Sequence, residues 1–192
     1  MSATFTEKIK TVRRIREERI YVCVGDQISV GDFTATCQEV YEDSALFLFD
    51  ECVTTKAMNK KNTNEGGYEG GYEASDLRKY LQSDEALDIF PEGLKPRLLP
   101  FENGDLLRIP TCEEIFGEED AEYFEDIPGK QWELMKQRKN RVAYFKNELK
   151  WGWLQNRRNN LASYFASVAI NGNCYCNFAS NANGVRPAFL IH

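Results

Sequence analysis

The most restrictive feature of the sequence is the composition of its last 42 residues, 151–192, which contain no Asp and no Glu. Within them, residues 159–183 also contain no Lys, Gln, Met or Trp. Lys, Glu, Gln, Met and Trp together supply 44 of the first 158 residues, so about seven of them would be expected among the 25 residues 159–183, where there are none. Strands are normally poor in Lys and Glu, which explains only part of this deficit. The C-terminal segment must therefore fold from aromatic, aliphatic and small polar side chains.

The charge of the chain is divided at the same place. The sequence has 24 Lys and Arg against 30 Asp and Glu, a net charge of −6. All the acidic residues and 21 of the basic ones lie in residues 1–150, which carry −9, whereas residues 151–192 carry +3. Phosphate binding depends on clustered Lys and Arg, so we predict that the protein does not bind nucleic acid.

Length and apolar content predict a globular protein. With 42% hydrophobic residues the chain can bury a substantial core. No apolar stretch approaches the roughly 20 residues that span a bilayer, and no signal peptide is visible, so we predict no membrane span and folding in a reducing cytoplasm. The six cysteines are therefore expected to be reduced and mostly buried.

Hydrophobic periodicity divides the chain into an N-terminal segment and one domain. Residues 5–20 place apolar side chains three and four positions apart, which predicts an amphipathic helix in a segment 1–20. From residue 21 the period falls to two, so the domain 21–192 is expected to begin with an antiparallel meander. The predicted strands are Tyr21–Val24, Gln27–Val30, Phe33–Tyr41 and Ala45–Phe49.

Capping residues predict short helices after the meander. Ser75 and Ser83 stand at N-cap positions, and Thr111 with Glu114 forms a capping-box pattern. The predicted elements are helices at 76–82, at 84–90 and from 112, a strand at 105–109, a surface loop over the tandem repeat 66–73 and a solvated helix over the acidic residues 118–126. The fold class is therefore α+β, with antiparallel strands, short helices and long loops.

The chain offers little that could support catalysis. Its one histidine, His192, is the last residue, where a rigid general base is not expected. Zinc needs about four Cys or His ligands in paired spacings, and only Cys174 and Cys176 are paired. That pair also suits redox chemistry or copper(I), which stays open as a minor interpretation. We predict no enzyme activity, no catalytic residue, no metal site and no cofactor.

The residue types found in 159–183 share a property of the genetic code. All of them can be encoded by codons that end in C or T, whereas Lys, Glu, Gln, Met and Trp cannot. Random replacement of both adenines in the Asn codon AAC yields Asn, Tyr, Ser, Cys, Phe, Ile, Ala and Leu among others, and never a stop. Eight asparagines lie in the last 42 residues against six in the first 150, an excess that unmutated codons would leave behind.

A frame of regularly placed residues in this tail resembles a known family. The frame reads Trp151-x-Trp153-Leu154, Tyr164-Phe-Ala-x-Val168, Gly172, Ala179-Ser180 and Gly184-Val-Arg-Pro-Ala-Phe189. It resembles the C-terminal variable region of diversity-generating retroelement target proteins. Upstream motifs resemble an uncharacterised domain family of bacteria and phages that often carries such a tail. These motifs are Phe49-Asp50, Met58-Asn59, the segment from Tyr72 to Leu81, Leu98-Leu-Pro100 and the segment from Asn103 to Pro110, so that the resemblance covers residues 20–192.

The resemblance implies both a fold and a function. The fold would be C-type-lectin-like, in which a scaffold of short strands displays variable side chains on one exposed face. The function would be ligand binding without catalysis, as in bacterial display proteins or the receptor-binding tips of phages. The partner would be a variable protein or a cell-surface ligand, a homo-oligomer stays open, and the location would be the cytoplasm or the phage virion.

The frame and the residues between its members are expected to differ in burial. We expect Trp151, Trp153, Leu154, Phe165, Val168, Val185 and Phe189 in the core, Gly172 and Gly184 in turns with unusual φ, and Arg186-Pro187 at the entry to the last strand. The candidate ligand-binding residues, expected to be exposed, are Asn159, Asn160, Ser167, Ala169, Ile170, Asn171, Asn173, Cys174, Tyr175, Cys176, Asn177, Phe178, Asn181, Ala182 and Asn183. Tyr, Ser and Asn also dominate antibody loops, and Tyr175, Phe178 and Ile170 are expected to contribute most of the binding energy.

Two other interpretations stay open. One is an enzyme of the same broad fold, a formylglycine-generating-type oxidase that uses Cys174, Cys176 and copper. The other is a purely structural virion or assembly protein. Under the ligand-binding interpretation, an acid-free face near Arg157 and Arg158 would suit a neutral or anionic ligand.

Overall fold

The computed structural model describes residues 22–60, 70–118 and 121–192, and these form a mixed α+β structure of mostly antiparallel sheets with few short helices. The helix predicted for residues 5–20 and the first half of the tandem repeat lie outside the described residues. The strand predicted for Tyr21–Val24 is wrong where it is described, because the chain turns at Gly25, which has a φ of 95°. Asp26 closes this turn by accepting a hydrogen bond of 2.8 Å from the Cys23 N–H.

The strands of the described ranges, in chain order, are β1 Gln27–Val30, β2 Phe33–Val40, β3 Ala45–Phe49, β4 Thr54–Lys56, β5 Leu98–Leu99, β6 Ala143–Phe145, β7 Glu148–Lys150, β8 Gly152–Arg157, β9 Tyr164–Val168, β10 Cys174–Phe178, β11 Asn183–Val185 and β12 Ala188–Ile191. They form two sheets and one separate hairpin. The meander predicted for the first three strands is confirmed, since β1 pairs antiparallel with β2 and β2 with β3.

The last two strands enter different sheets. The first sheet has the order β1-β2-β3-β12-β5, and the second has the order β10-β9-β8-β11-β4. β12 pairs antiparallel with β3 and β5, whereas β11 pairs antiparallel with β4 and meets β8 in parallel at Gly184 and Gly152. Residues 183–191 therefore supply an interior strand to both sheets.

The described ranges contain three short α-helices, all between β4 and β6 in sequence: α1 Asp76–Leu81, α2 Asp84–Leu87 and α3 Cys112–Phe116. The Ser75 side chain caps α1, and the capping box of Thr111 and Glu114 is confirmed at α3. Ser83 begins α2 without a side-chain cap, because its hydroxyl donates to the Tyr80 carbonyl instead, at 2.6 Å. Of the helices in the described ranges, none is long and apolar enough to cross a membrane.

Two further predicted elements are wrong. The strand at 105–109 is reduced to one isolated bridge between Arg108 and Ala188, because the neighbouring residues bond to side chains such as that of Gln82. The acidic segment 118–126 is not a helix over its described residues. It contains one 3-10 turn, Ala121–Tyr123, after which Phe124 forms a bridge with Arg158 and its side chain is buried.

Two hydrophobic cores cover opposite faces of the sheets. In β3, Phe47 and Phe49 enter the first core and Leu46 and Leu48 enter the second, as the period of two requires. The frame residues follow the same rule: Trp153, Phe165, Val185 and Phe189 lie in the first core, and Leu154 and Val168 lie in the second. These six are buried as predicted. Trp151 is half-buried and lies outside both cores.

Arg186 is half-buried where the chain passes from β11 to β12, and its guanidinium is enclosed by the protein. Its Nε donates to the Phe49 carbonyl at 2.6 Å, and its Nη1 donates to the Asn140 carbonyl at 3.0 Å. Burial lowers the pKa of this guanidinium from its ordinary value. Within the described ranges no carboxylate pairs with it, so backbone carbonyls supply its contacts.

The two glycines of the frame are needed for different reasons. Gly172 has a φ of 79°, and a methyl group there would lie 2.8 Å from the Arg138 carbonyl oxygen, so the predicted turn is confirmed. Gly184 lies in β11 without positive φ, so the prediction of unusual φ there is wrong. Glycine is needed at this position because there is no room for a side chain: a methyl group would overlap the Cys52 sulfur and lie 3.1 Å from the Trp151 carbonyl oxygen.

We predict that Gly184→Ala lowers the free energy of unfolding by about 2 kcal/mol, because the added methyl overpacks the contact between β11 and Cys52. Denaturant unfolding of purified protein measures the change. Gly152→Ala is the matched control, since Gly152 is the parallel partner of Gly184 and its added methyl would meet nothing within 4 Å. Equal destabilisation by the two substitutions would contradict the explanation.

Candidate ligand-binding surface

The candidate residues lie at one edge of the second sheet. β10 is the outermost strand, and it pairs along its whole length with β9. The two strands are joined by a tight turn in which the Ala169 N–H donates to the Asn173 carbonyl and the Gly172 N–H donates to the Ala169 carbonyl. The Asn171 side chain also accepts from the Asn173 N–H, at 3.1 Å. The turn is therefore held by hydrogen bonds of its own.

Burial changes sharply across this edge. In β8, all residues except Arg157 are buried, because neighbouring strands flank it and both cores cover its faces. In β9 only Tyr164 is not buried. In β10, by contrast, no residue is buried. The change from buried to accessible side chains therefore occurs between β9 and β10.

Most of the predicted contact residues are accessible. Nine are exposed: Asn159, Asn160, Ile170, Asn171, Asn173, Tyr175, Phe178, Asn181 and Ala182. Three are half-buried: Cys174, Cys176 and Asn177. The structure brings together those of the turn, of β10 and of the loop after it, whereas Asn159 and Asn160 lie in the β8–β9 connection.

Three predicted contact residues are buried, contrary to the exposure expected of them. Ser167 lies in β9 and Ala169 directly follows it. β9 is flanked by β8 and β10 and covered on both faces, so both side chains are buried. Asn183 begins β11, and its Oδ1 accepts from the Asn177 side chain at 3.2 Å. These side chains support the surface from below and do not form part of it.

Several of the asparagines have local structural roles. The Asn159 side chain donates to the Glu122 and Phe124 carbonyls, at 3.1 and 2.9 Å. The Asn177 Oδ1 accepts from the Asn181 side chain and from the Phe178 N–H. These bonds tie the connections around β10 to the body of the protein, so that exposed side chains stand on a rigid backbone.

Aromatic side chains outside the predicted set extend the surface. Tyr175 is 60% exposed and contacts Trp151 edge to face, with ring centroids 5.2 Å apart. Next to Trp151 in sequence, the hairpin of β6 and β7 places Tyr144 opposite Leu149, and both are exposed. The sequence contained a signal for this part, namely apolar residues at the alternate positions 149 and 151, where the frame begins.

A groove of about 530 Å³ lies beside β10. It is lined by Tyr123, Phe124, Arg158, Leu161, Tyr164, Cys174, Tyr175 and Cys176. Beside it is a second groove of about 440 Å³, lined by Glu125, Arg157, Arg158, Asn159, Asn160, Leu161 and Ala162. Sequence reasoning missed Tyr123, Leu161 and Tyr164, because the segments that carry them meet only in the fold.

A buried asparagine brings the acidic segment against β8. The Asn156 Nδ2 donates to the Glu125 carbonyl at 2.9 Å and to the Glu113 carboxylate at 3.0 Å. Its Oδ1 accepts from the Cys112 N–H at 2.7 Å. Since Asn156 is completely buried and bonded on both ends of its amide, it fixes the wall that carries Tyr123 and Phe124.

The chemistry of this region offers few reactive groups. Cys174 and Cys176 lie on one face of β10 and are half-buried, and the Arg158 Nη1 donates to the Cys176 sulfur at 3.2 Å. Across the described ranges, no group of three or more His, Cys, Asp or Glu side chains could hold a metal ion. His192 lies elsewhere, at the end of β12, where its N–H donates to the Arg97 carbonyl at 3.1 Å.

The chain matches no protein-family model, no curated protein and no solved structure.

We predict that thiol labelling of the native protein distinguishes two sets of cysteines. Cys174 and Cys176 should react, since they are half-buried at an edge strand, whereas Cys37 and Cys52 should stay protected. Burial raises the pKa of the Cys37 and Cys52 thiols to about 11, which suppresses the reactive thiolate at neutral pH. Labelling with a maleimide, followed by peptide mass spectrometry, measures the pattern. Native-state labelling of Cys52 as fast as that of Cys174 would contradict it.

Proposed function

We propose that the protein is a non-catalytic ligand-binding protein whose binding surface is the exposed part of residues 159–183. The observation that carries this proposal is the concentration of large exposed apolar side chains there. Leu161, Ile170, Tyr175 and Phe178 are four of the ten such residues in the described ranges, although the segment is only 25 residues long. Clustered exposed apolar side chains on a folded protein are typical of an interaction site.

The separation of scaffold from surface supports the same proposal. The frame residues of β8, β9 and β11 fill the cores, while β10 has no buried residue. β10 has one ladder partner, and of its side chains the half-buried Cys174 and Cys176 pack against the second core. Its exposed side chains, Tyr175 and Phe178, can therefore change with little loss of stability. Rigid support with replaceable side chains is the arrangement that binding loops use.

We further propose that the chain is a diversity-generating retroelement target with a C-type-lectin-like fold. Its partner is then a variable protein or cell-surface ligand, as for a phage receptor-binding component. The codon-restricted residue types of 159–183 and the mostly antiparallel α+β structure support this assignment. An adenine-biased near-copy of codons 151–192 beside a reverse-transcriptase gene should lie next to the gene, and its absence would remove the genetic part of the proposal.

We predict that a library randomised with NNC codons at Ile170, Asn173 and Tyr175 keeps the fold. Most members should retain the free energy of unfolding within about 0.5 kcal/mol of the parent, because these side chains are exposed. Display of the library, followed by protease challenge, measures folding, and selection against several unrelated proteins then measures binding. We expect specific binders for more than one target.

The control library carries the same codons at Trp153, Phe165 and Val185, which lie in the first core. Most of its members should lose about 2 kcal/mol or more and fail the protease challenge. Equal survival of the two libraries would contradict the separation of scaffold from surface. A well-folded surface library that yields no binder to any target would contradict the binding function.

A further inference from the structure

The backbone around Arg158 is fixed from two sides. Arg158 forms a bridge with Phe124, and its N–H donates to the Tyr164 carbonyl at 2.9 Å. On the next residue back, the Arg157 carbonyl accepts from the Glu125 N–H at 2.7 Å. Arg158 lines both grooves, and the backbone from which its side chain extends is therefore held in a fixed position.

The Arg158 guanidinium has donors to spare. It is half-buried, and within the described ranges its side chain makes one hydrogen bond, the 3.2 Å contact from Nη1 to the Cys176 sulfur, which is a weak acceptor. Among the described residues no carboxylate lies within salt-bridge distance of it. Arg78, Arg108 and Arg157, by contrast, each approach an acidic partner.

Aromatic side chains line the groove beside β10 together with Arg158. Tyr123, Phe124 and Tyr164 line the groove with it, and the Tyr164 ring lies against Phe178 with centroids 4.2 Å apart. Glu125, the acidic residue that lines the neighbouring groove, is 4.0 Å from the Arg157 guanidinium. A planar cation with unused donors among aromatic rings is complementary to an anionic group attached to a flat apolar body.

We propose that the groove beside β10 recognises a ligand carrying an oxyanion on an aromatic ring, and that Arg158 binds the oxyanion. This inference rests on the proposed ligand-binding function and gives the chemical class of the ligand. The oxyanion takes the unused N–H groups of the guanidinium, and the ring packs against Tyr123 and Tyr164. Arg158 thus selects for charge, while the replaceable side chains of β10 select among ligands that share it.

The test uses small probes of matched shape on the complete protein. Benzoate and phenyl phosphate carry the two oxyanions, benzyl alcohol is the uncharged match, and acetate lacks the ring. NMR titration, followed at the arginine Nε–H and tyrosine ring signals, gives each dissociation constant. We expect one or both aromatic anions to bind about tenfold or more tightly than benzyl alcohol or acetate, because hydrogen bonds to charged groups are worth that much. The tighter anion identifies carboxylate or phosphate chemistry.

Three variants make the test specific. Arg158→Gln should weaken binding of the preferred anion about tenfold or more, and Arg158→Lys should restore part of it, since lysine keeps the charge and loses the planar fork. Lys139→Gln makes the same change of net charge at an exposed residue outside both grooves and should leave the affinity unchanged. Equal thermal unfolding of the variants shows that they are folded.

The inference is overturned if the anions bind no better than benzyl alcohol, or if Lys139→Gln weakens binding as much as Arg158→Gln. If the surface library still yields binders, such a result contradicts the role of Arg158 but not the proposed ligand-binding function. Failure of that library with intact, Arg158-dependent anion binding would instead contradict the proposed function alone.

Discussion

The fold depends on the buried Arg186 guanidinium at the point where the chain leaves one sheet and enters the other. It donates to the Phe49 carbonyl at the end of β3 and to the Asn140 carbonyl before the β6–β7 hairpin. A buried charge is costly unless its hydrogen bonds are made, and the correct crossing of the chain makes them. The same residue thus links the meander, the hairpin and the strand that supports the candidate surface.

Local chemistry made part of this architecture predictable. The period-two pattern of residues 27–49 and the capping residues Ser75 and Thr111 act over a few positions, and the structure confirms the elements they predict. The strand expected at 105–109 was not predictable as a single bridge, because its polar groups are satisfied by Gln82 from another part of the chain. Sequence patterns do not encode such long-range partners.

The candidate surface shows the same limit. Tyr175 and Phe178 are exposed, as expected of the candidate contact residues, but Ser167 and Asn183 belong to the same predicted set and are buried. What separates them is strand order, since β9 and β11 are interior strands and β10 is not. The groove around Arg158 was beyond sequence reasoning for a related reason: its walls come from residues 123–124 and 158–176, joined through the buried Asn156.

The position of β11 and β12 after β10 in the chain determines which sequence changes in β10 are compatible with folding. Both sheets lack an interior strand until residues 183–191 have been synthesised, so the exposed strand is made before the fold can close. We expect a chain that loses its reading frame within β10 to remain unfolded, because it lacks the interior strands β11 and β12. Folding therefore requires that the reading frame be kept through β10. Substitutions in β10 that keep the reading frame leave both closing strands in place.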